Sequence, residues 1–554
     1  MKHLPADLRA CRRWAGWPLA ALSLVLGLQS CGGGGGDAGP TPATSLTPTS
    51  GRVSGASPVA PGCTGGAAGN GTLYAEAEVE PTLARAPANA LNLVAAWQQD
   101  RWSDGGARAL VSAASFDGGA TWVRTLHPMS RCGGATAGSS GDFERATDPW
   151  VDIGSDGIVH LMGLALSGNA LSAGSRNAML ASRSSDGGRT WSVPQTLALD
   201  GASFFNDKNT LTVDALAPHF VYAVWDRLDA AGNGPTRLAR STDAGLSWEP
   251  AREIYRPPAP AGGSAQTIGN RIVVLTGGPQ RGALVNVFTQ IDAGATGVSN
   301  TVRVQRSFDQ GLTWGAAVVV AEHRGVGARD PDTGSAIRDG GIVPSISAGA
   351  DGSLWVAWQD SRFSGGIRDA IAVSRSLDGG LSWSAPVAAS NSGAAGAFTP
   401  TLSVRADGLV GLLYFDLRPD TADAGTLLAA SWLATTRDGT NWGDSVVWGR
   451  FDMAQAPNAR GLFLGDYMGL VSDGNQFVPL LVLSSTDTGN RNDVYLMRVT
   501  PGSAAVATAA ALPEPLSEAE FQARRQAFTQ RVMERRVPDW GRRVGLSTIG
   551  PRRP

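Results

Sequence analysis

Short apolar stretches recur along most of the chain and are separated by Gly-rich and Asp-rich turns. Residues 93–97 (Leu-Val-Ala-Ala-Trp) and 354–358 (Leu-Trp-Val-Ala-Trp) are typical of these stretches, which favour strands and are too short for helices. Asp-Gly pairs, which are preferred in tight turns between antiparallel strands, recur at 156–157, 351–352, 407–408 and 473–474. The pattern predicts an all-β chain of short strands and tight turns.

An octet of the form Ser-x-Asp-x-Gly-x-Thr/Ser-Trp is repeated along the chain. Five full copies and one copy that is a residue shorter occupy 115–122, 184–191, 241–248, 307–314, 376–383 and 436–442. In such a turn the Ser and Asp oxygens accept from backbone N–H groups, Gly adopts a positive φ, and Trp packs after the chain reverses. Four predicted strands surround each octet, a repeat typical of a β-propeller.

The octet resembles the Asp box (BNR repeat) of sialidases and related β-propeller proteins. In that family the box joins the third and fourth strands of a blade, away from the substrate, which implies a structural role for its aspartates. Residues 464–499 repeat three strands without a box, and the alternating stretch 72–79 is expected to supply the fourth. The expected fold is a seven-bladed β-propeller over 71–500. Six blades, the number usual for catalytic sialidase domains, is the alternative.

Residues 1–30 have the pattern of a processing segment, with a basic start and an apolar run that ends just before Cys31. Leu-Gln-Ser-Cys resembles the lipobox of bacterial lipoproteins. The resemblance implies cleavage before Cys31, lipidation of this residue, and export to the outer membrane with membrane contact through the lipid only. An ordinary secretory signal with an incidental cysteine is the alternative.

Residues 31–70 consist mainly of Gly, Pro, Ser, Thr and Ala and are predicted to form a flexible tether. Cys63 and Cys132 remain once the two cysteines at or before the lipobox are set aside. An oxidising compartment favours a disulfide between them, with unbonded buried thiols as the alternative.

Residues 501–554 are predicted to form a basic helical tail. Ser517 and Glu520 have the spacing of a capping box at the start of a helix. Arginines outnumber acidic residues from Glu518 onward, which indicates contact with an anionic envelope surface or a partner. The alternative is a helix that docks Phe521 and Phe528 on the propeller.

Composition narrows the range of functions. A net charge of −2 and a pI near 6.2 give no reason to expect nucleic acid as a partner. The five histidines do not form a zinc-protease motif, and no nucleophile elbow or P-loop is present, so no cofactor is expected. Acidic stretches such as 330–332 suit Ca²⁺, with solvated turns as the alternative, and no metal ligands are assigned. We expect a monomer.

Charged residues accumulate where one blade is expected to lead into the next, on the face opposite the Asp boxes. Several residues in these connections, most of them charged, occur in one connection only. Function on a shared fold depends on such departures from the repeat. They are Glu80, Asp148, Asp207, Lys208, Arg338, Asp339 and Tyr467. Repeated Asp-Arg pairs, such as Asp360 with Arg362, are expected to brace their own blades.

A catalytic sialidase holds a sugar carboxylate with three arginines and attacks with a tyrosine beside a carboxylate. On this resemblance, Tyr467 is the candidate nucleophile, with Glu80 and Asp148 as catalytic carboxylates. Substrate contacts are assigned to Arg271, Arg338, Arg362, Asp207, Lys208 and Asp339. The family's Phe/Tyr-Arg-Ile-Pro motif is absent, because the matching residues 80–83 are Glu-Pro-Thr-Leu.

Two functions follow from these residues. The first is a non-catalytic propeller that binds a glycan or an envelope protein through its charged funnel. The second is an exo-sialidase-like glycoside hydrolase or another polysaccharide-degrading enzyme. The missing arginine motif favours binding.

Overall fold

A computed structural model of the protein describes residues 49–66, 71–501, 515–537, 539–544 and 546. The predicted signal peptide, Cys31 and the start of the predicted tether lie outside the described residues. Strands dominate, which confirms the all-β prediction. The helices are α1 (Glu518–Glu534), α2 (Trp540–Arg543) and two 3-10 turns, Arg362–Ser364 and Met453–Gln455.

The strands form antiparallel groups of four that follow one another along the chain, and one residue pair, Ala107 with Ala146, joins the first two groups into a single sheet. Two short strands come first, β1 (Thr49–Arg52) and β2 (Leu73–Tyr74). The first two groups are β3 (Val79–Arg85), β4 (Leu93–Trp102), β5 (Ala107–Ser115), β6 (Val123–His127), and β7 (Arg145–Ile153), β8 (Val159–Ser167), β9 (Arg176–Ser184), β10 (Gln195–Asp200). The next two are β11 (Phe204–Val213), β12 (Val221–Asp229), β13 (Thr236–Ser241), β14 (Arg252–Tyr255), and β15 (Ser264–Val274), β16 (Leu284–Gly294), β17 (Gly297–Ser307), β18 (Val318–Glu322).

The second half of the chain continues this arrangement after a short strand, β19 (Ile337–Arg338). Its groups are β20 (Ser345–Ala348), β21 (Leu354–Asp360), β22 (Ala370–Ser376), β23 (Val387–Ala388), and β24 (Ala397–Val404), β25 (Val410–Asp416), β26 (Leu428–Thr436), β27 (Gly443–Asp452). Next come β28 (Leu462–Phe463), which pairs in parallel with β19, and then β29 (Gly469–Asp473), β30 (Gln476–Ser484) and β31 (Asn492–Arg498).

The first strands of successive groups pack side by side. β3 lies beside β7, β7 beside β11, β11 beside β15, and the series continues through β20, β24 and β29. β29 in turn lies beside β3, so these strands surround a central channel. Residues at the start of each first strand therefore face one another across this channel.

An aromatic residue at the fifth position of the second strand packs between neighbouring groups. Trp97, Trp225, Phe288, Trp358 and Tyr414 occupy this position in β4, β12, β16, β21 and β25, and each is fully buried. Burying a large aromatic side chain stabilises the fold by roughly 2–3 kcal/mol. The repeated apolar stretches in the sequence correspond to these second strands.

Each octet forms the turn between the third and fourth strands of its group. In the first octet, the Ser115 hydroxyl accepts the N–H of Gly119 at 2.7 Å and donates to Asp117 at 2.8 Å. Asp117 also accepts the N–H of Thr121 at 2.9 Å and its hydroxyl at 2.5 Å, and Trp122 donates to the Gly119 carbonyl. Hydrogen bonds from Thr121 lower the pKa of Asp117 to about 2. The octet aspartates serve the turn, as the resemblance implies.

The last group obtains its fourth strand from the N-terminal side of the chain. β1 pairs antiparallel with β31, from Thr49 opposite Arg498 to Arg52 opposite Tyr495. Next to β1, Val53 is 2% exposed and the Ser54 hydroxyl donates to Asp493 at 2.8 Å.

The prediction that 72–79 supplies this strand is wrong. β1 is the strand that pairs with β31, whereas β2 pairs with the last two residues of β4. Part of the predicted tether 31–70 therefore belongs to the fold. Composition did not reveal β1, because its pairing uses backbone groups that are independent of side-chain type.

Cys63 and Cys132 form a disulfide with an S–S distance of 2.09 Å. The bond links residues 69 positions apart in sequence and attaches the segment after β1 to the first group. A cross-link that closes a loop of this length stabilises a fold by about 4 kcal/mol in the chain-entropy description.

The tail helix α1 begins with the predicted capping box, in which Ser517 and Glu520 bond to each other's backbone N–H groups. Phe521 and Phe528 are each 3% exposed, and Phe528 packs with Ile268 and Ile342. The helix is thus docked on the strands. Within the described part of the chain, no helix has the length and apolar character needed to cross a membrane.

We expect removal of the residues up to Val53 to destabilise the whole domain, because β31 would lose its outer partner and the core would lose the buried Val53 side chain. Backbone pairing and apolar burial together contribute roughly 4–6 kcal/mol here. A chain that starts at Ser54 should therefore melt several degrees below one that starts at Pro48, as measured by circular dichroism. Equal melting temperatures would contradict closure by β1.

Candidate functional site

Most of the first strands contain a bulge at the same position near the central channel. The register shifts after Val79, Thr147, Asp207, Ile268 and Phe398. The residue that follows each of these has a positive φ, with values of 54° at Glu80, 50° at Asp148, 48° at Lys208, 69° at Gly269 and 53° at Thr399.

Glycine is the usual residue at a bulge position with positive φ, because other residues lose about 1–2 kcal/mol there. Only Gly269 follows this rule among the five bulges. In three consecutive groups the strained position holds a charged residue instead, namely Glu80, Asp148 or Lys208. Backbone strain that persists at adjacent charged residues indicates a functional site.

These charges meet at the ammonium group of Lys208. Its Nζ lies 3.0 Å from Glu80, 2.8 Å from Asp148 and 2.7 Å from Asp466. Arg338 Nη2 lies 2.8 Å from Asp466 on the other side. Glu80, Asp148, Lys208 and Asp466 are all buried. A buried charge is tolerated only when it is paired in this manner.

Burial and neighbouring charges determine which groups of this cluster are protonated. Burial, together with the nearby Asp148 carboxylate, raises the pKa of Glu80 to about 8. Burial alone would lower the pKa of Lys208, but Asp148, Asp466 and Glu80 raise it well above its usual range. Burial alone would raise the pKa of Asp466, but Arg338 and Lys208 hold it well below its usual range. At neutral pH, Lys208 is therefore an ammonium ion and Glu80 holds its proton.

A cavity of about 550 Å³ opens above Lys208 at the end of the channel opposite the octets, and we call it the central cavity. Its walls come from connections between groups, from loops after second strands, and from the tail. Arg338 lines this cavity together with three arginines near it, Arg101, Arg460 and Arg535. They are the main source of positive charge in the site.

Arg101 is the most buried of these arginines, with 2% exposure. Its Nη1 donates to the neutral amide oxygen of Gln98 at 2.6 Å, and its buried Nε has no partner within the described residues. The guanidinium lies 5.1 Å from the Phe463 ring, and that of Arg338 lies 4.1 Å from the same ring. Burial and the charge of Arg338 lower the pKa of Arg101 to about 10. The cavity thus holds a desolvated cation that forms no ion pair with a carboxylate in the described ranges.

The tail completes the wall of the central cavity. Arg536 inserts between groups and pairs with Asp207 and Asp226, and all three side chains are buried. Arg535 Nη2 donates to the Arg460 carbonyl at 3.1 Å, while its buried Nε has no partner in the described part of the chain. The tail therefore contributes charge to the site as well as apolar packing.

The structure gathers five of the sequence-predicted site residues around the central cavity. Asp148, Asp207, Lys208 and Arg338 line it, and Glu80 lies directly behind Lys208. The roles assigned to them on the resemblance remain predictions.

Three predicted residues lie elsewhere. Arg362 pairs with Asp360 at 2.8 Å, as expected for a blade brace, and does not line the central cavity. Arg271 lies deeper in the channel, 5.1 Å from the Trp150 ring. Asp339 is buried and accepts the N–H groups of Ala328 and Gly341. The predicted arginine trio of Arg271, Arg338 and Arg362 is therefore wrong as a cluster, because only Arg338 reaches the cavity.

Tyr467 lies below the central cavity and is 8% exposed. Its hydroxyl donates to the Pro149 carbonyl at 3.0 Å, and its ring meets Trp150 edge-on. Burial, followed by the nearby carboxylates of Glu80 and Asp148, raises the pKa of Tyr467 well above its usual range. No hydrogen bond joins Tyr467 to Glu80 among the described residues. The phenol is held in its neutral form.

The acidic stretch 330–332, considered for Ca²⁺, forms a turn. Asp330 accepts the N–H groups of Asp332 at 2.9 Å and Thr333 at 3.1 Å, and the Thr333 hydroxyl at 2.6 Å. Across the described ranges, no group of three or more His, Cys, Asp or Glu side chains is arranged to hold a metal ion.

Sequence reasoning missed Arg101, Arg460, Asp466, Arg535 and Arg536 as site residues. Arg101 directly follows Asp100 and so has the form of the repeated Asp-Arg pairs, and the tail is distant in sequence from the other site residues. One signal was available, because Lys208 is one of only two lysines in the chain and the other is Lys2. A residue type that is avoided elsewhere marks the centre of the site.

Comparison with solved structures gives distant similarities. A Hadza microbial sialidase is 16% identical, with 75% of this chain and 74% of that chain covered and a TM-score of 0.41. A Trypanosoma rangeli sialidase is 13% identical, with coverage of 82% and 59% and a TM-score of 0.41. A polysaccharide lyase, an ulvan lyase bound to -[GlcA(1-4)Rha3S]-, is 12% identical, with coverage of 82% and 99% and a TM-score of 0.45.

A scan of known protein families gives no match, and neither does a search of curated proteins. At TM-scores this low, the structural similarities do not decide the activity of the chain. That activity depends on its own site residues.

We expect Lys208→Met to destabilise the protein by roughly 3–5 kcal/mol, because it leaves buried carboxylates without a counter-ion. Urea denaturation at pH 8 measures this loss. The loss should shrink at pH 5, where the carboxyl groups can take up protons. A variant as stable as the wild type at pH 8 would contradict the central role of Lys208.

Glu80 should make stability fall as pH rises. Its folded pKa of about 8 exceeds its ordinary value of 4.5, so between these values the folded state holds a proton that the unfolded chain has lost. In Glu80→Gln this contribution is absent. The stability of the wild type relative to this variant should therefore decrease from pH 4.5 to pH 8, as measured by urea denaturation at several pH values. A constant difference would show that Glu80 does not titrate in this window.

Proposed function

We propose that the protein is an exported, lipid-anchored, seven-bladed β-propeller that binds an acidic glycan in its central cavity without cleaving it. The seven groups of four strands and the circle of first strands support the blade count. Closure by β1 supports it further, because it completes the seventh group. Anchoring through Cys31 rests on the lipobox resemblance, and exposure to an oxidising compartment agrees with the Cys63–Cys132 disulfide.

The observation that carries the proposal is the unpaired guanidinium of Arg101. A buried arginine without a carboxylate is unfavourable, and a ligand anion would compensate its charge. Arg338 lies beside it, and Arg460 and Arg535 add further charge, with backbone carbonyls as their only bonded acceptors among the described residues. A carboxylate or sulfate group is the chemical partner that fits this arrangement.

The remaining lining residues favour a sugar as the carrier of this anion. The cavity volume of about 550 Å³ falls within the range of small-molecule sites. Asp148, Asp207 and Glu144 supply acceptors for hydroxyl groups, and Phe463 supports the arginine side chains. An envelope protein that inserts an acidic side chain is the second partner class.

An exo-sialidase-like hydrolase, or another polysaccharide-degrading enzyme, is the alternative function. It would require Tyr467 as a nucleophile with a neighbouring base. The Tyr467 hydroxyl is instead bonded to a carbonyl, and its raised pKa opposes ionisation. Glu80 holds a proton as a general acid would, but it lies behind Lys208 and does not line the cavity. These contacts favour binding over catalysis.

We expect galacturonic acid and N-acetylneuraminic acid to bind about tenfold more tightly than galactose, because only the acidic sugars can pair with Arg101. Isothermal titration calorimetry measures the three affinities. Arg101→Met should remove this preference while the melting temperature stays the same or rises, because the change relieves repulsion with Arg338 and leaves no carboxylate unpaired.

Arg437→Met is the matched control, because Arg437 is 60% exposed and pairs with Asp407 at the end of the domain where the octets lie. It should bind acidic sugars like the wild type. Equal binding of galactose and galacturonic acid would refute the proposal. Release of sugar from a panel of acidic glycosides by the wild type, with loss in Tyr467→Phe, would favour the enzyme.

A further inference from the structure

A row of arginines leads out of the central cavity along the tail helix. Arg524, Arg531 and Arg535 are separated by seven and four residues, which places them on one face of a helix. At a rise of 1.5 Å per residue, the row is about 16 Å long. Arg535, at its inner end, lines the central cavity.

None of the three arginines of this row forms an ion pair with an acidic residue that the structure describes. Arg524 donates to the Ile367 carbonyl at 3.0 Å, and Arg535 donates to the Arg460 carbonyl. Arg531 makes no hydrogen bond or ion pair with any described residue. Arg329 lies near the row, and its only bonded acceptor among the described residues is the Gly334 carbonyl, at 3.0 Å.

The charges are close enough to influence one another. Burial lowers the pKa of Arg531 to about 10, and Arg329 adds to this effect. Burial also lowers the pKa of Arg535 to about 10, with a further contribution from Arg338. Arg524 in turn contributes to the lowered pKa of Arg329. The arginines from Arg338 to Arg524 thus influence one another in turn, while Asp339 acts in the opposite direction on Arg531 and Arg535.

A second cavity, of about 720 Å³, lies at the outer end of the row. Four arginines and four aspartates line it, namely Arg329, Arg368, Arg418 and Arg524 with Asp330, Asp332, Asp369 and Asp420. Its walls are connections between groups and loops after second strands, so it opens on the same face as the central cavity. Asp330 and Asp420 accept backbone N–H groups and are engaged locally.

We infer that the ligand is an acidic glycan chain that carries several negative charges, rather than a single acidic sugar. This inference rests on the proposed function. The terminal residue occupies the central cavity, and the following residues lie along the Arg535–Arg531–Arg524 row toward the second cavity. A linear row that begins inside a concave site fits a chain. A flat anionic membrane would reach only the exposed end of the row.

The test compares galacturonic acid with its hexamer by calorimetry on the full chain. Each additional anionic unit that contacts the row adds to binding of the same molecule, so the hexamer should bind about tenfold or more tightly than the monomer. The double variant Arg524→Gln/Arg531→Gln should lose this gain and bind the monomer like the wild type. Arg542→Gln is the control, because Arg542 is 72% exposed and pairs with Asp539 outside the row.

The outcomes separate this inference from the proposed function. Failure of the monomer to bind would refute the site in the central cavity. Binding of the monomer without any gain in affinity for the hexamer would refute the role of the arginine row in binding. A hexamer gain that persists in the double variant would also refute it. Binding to phosphatidylglycerol vesicles that is lost in the double variant, with no hexamer gain, would overturn the inference in favour of a membrane contact.

Discussion

The ion pairs of Lys208 are the interaction on which the site depends. Glu80, Asp148 and Asp466 come from three different parts of the chain, and each contacts the same ammonium group. Removing one positive charge from this position would leave carboxylates facing one another in a buried environment. The site therefore exists only in the closed arrangement, in which the last group of strands brings Asp466 next to the first. The packing of β29 beside β3 closes the ring and brings Asp466 to Lys208.

The strained bulges explain how a regular architecture accommodates this cluster. Similar groups are expected to hold similar residues at equivalent positions. Gly269 is the residue type that adopts the positive φ of such a bulge without strain. Glu80, Asp148 and Lys208 depart from it in adjacent groups, at a cost of about 1–2 kcal/mol each. The aromatic core and the octet turns are repeated and structural. The charged residues at the bulges are not repeated, and they mark the position of the candidate functional site.

The tail changes the charge balance of this specialised region. Without the tail the central cavity would keep the Lys208 cluster, Arg101 and Arg460, and the buried Asp207 and Asp226 would lose the arginine that pairs with them. Arg536 neutralises those two carboxylates, and Arg535 extends the positive surface beyond the ring. The tail thus converts a mixed cavity into one that favours anions. A basic segment that appears separate in sequence is in this fold part of the binding surface.

The sequence by itself determined the strands, the repeat and the structural role of the octets, because these depend on local periodicity and local hydrogen bonds. It also identified Glu80, Asp148, Asp207, Lys208 and Arg338, since these residues depart from the repeat at connections that share one face. It did not reveal β1, whose pairing uses backbone groups alone, nor the position of Arg271 against the Trp150 ring. Only the tertiary structure decided which charges meet. Asp466 reaches Lys208, and Arg536 reaches Asp207, across hundreds of residues, and no local pattern records a contact between such distant parts of the chain.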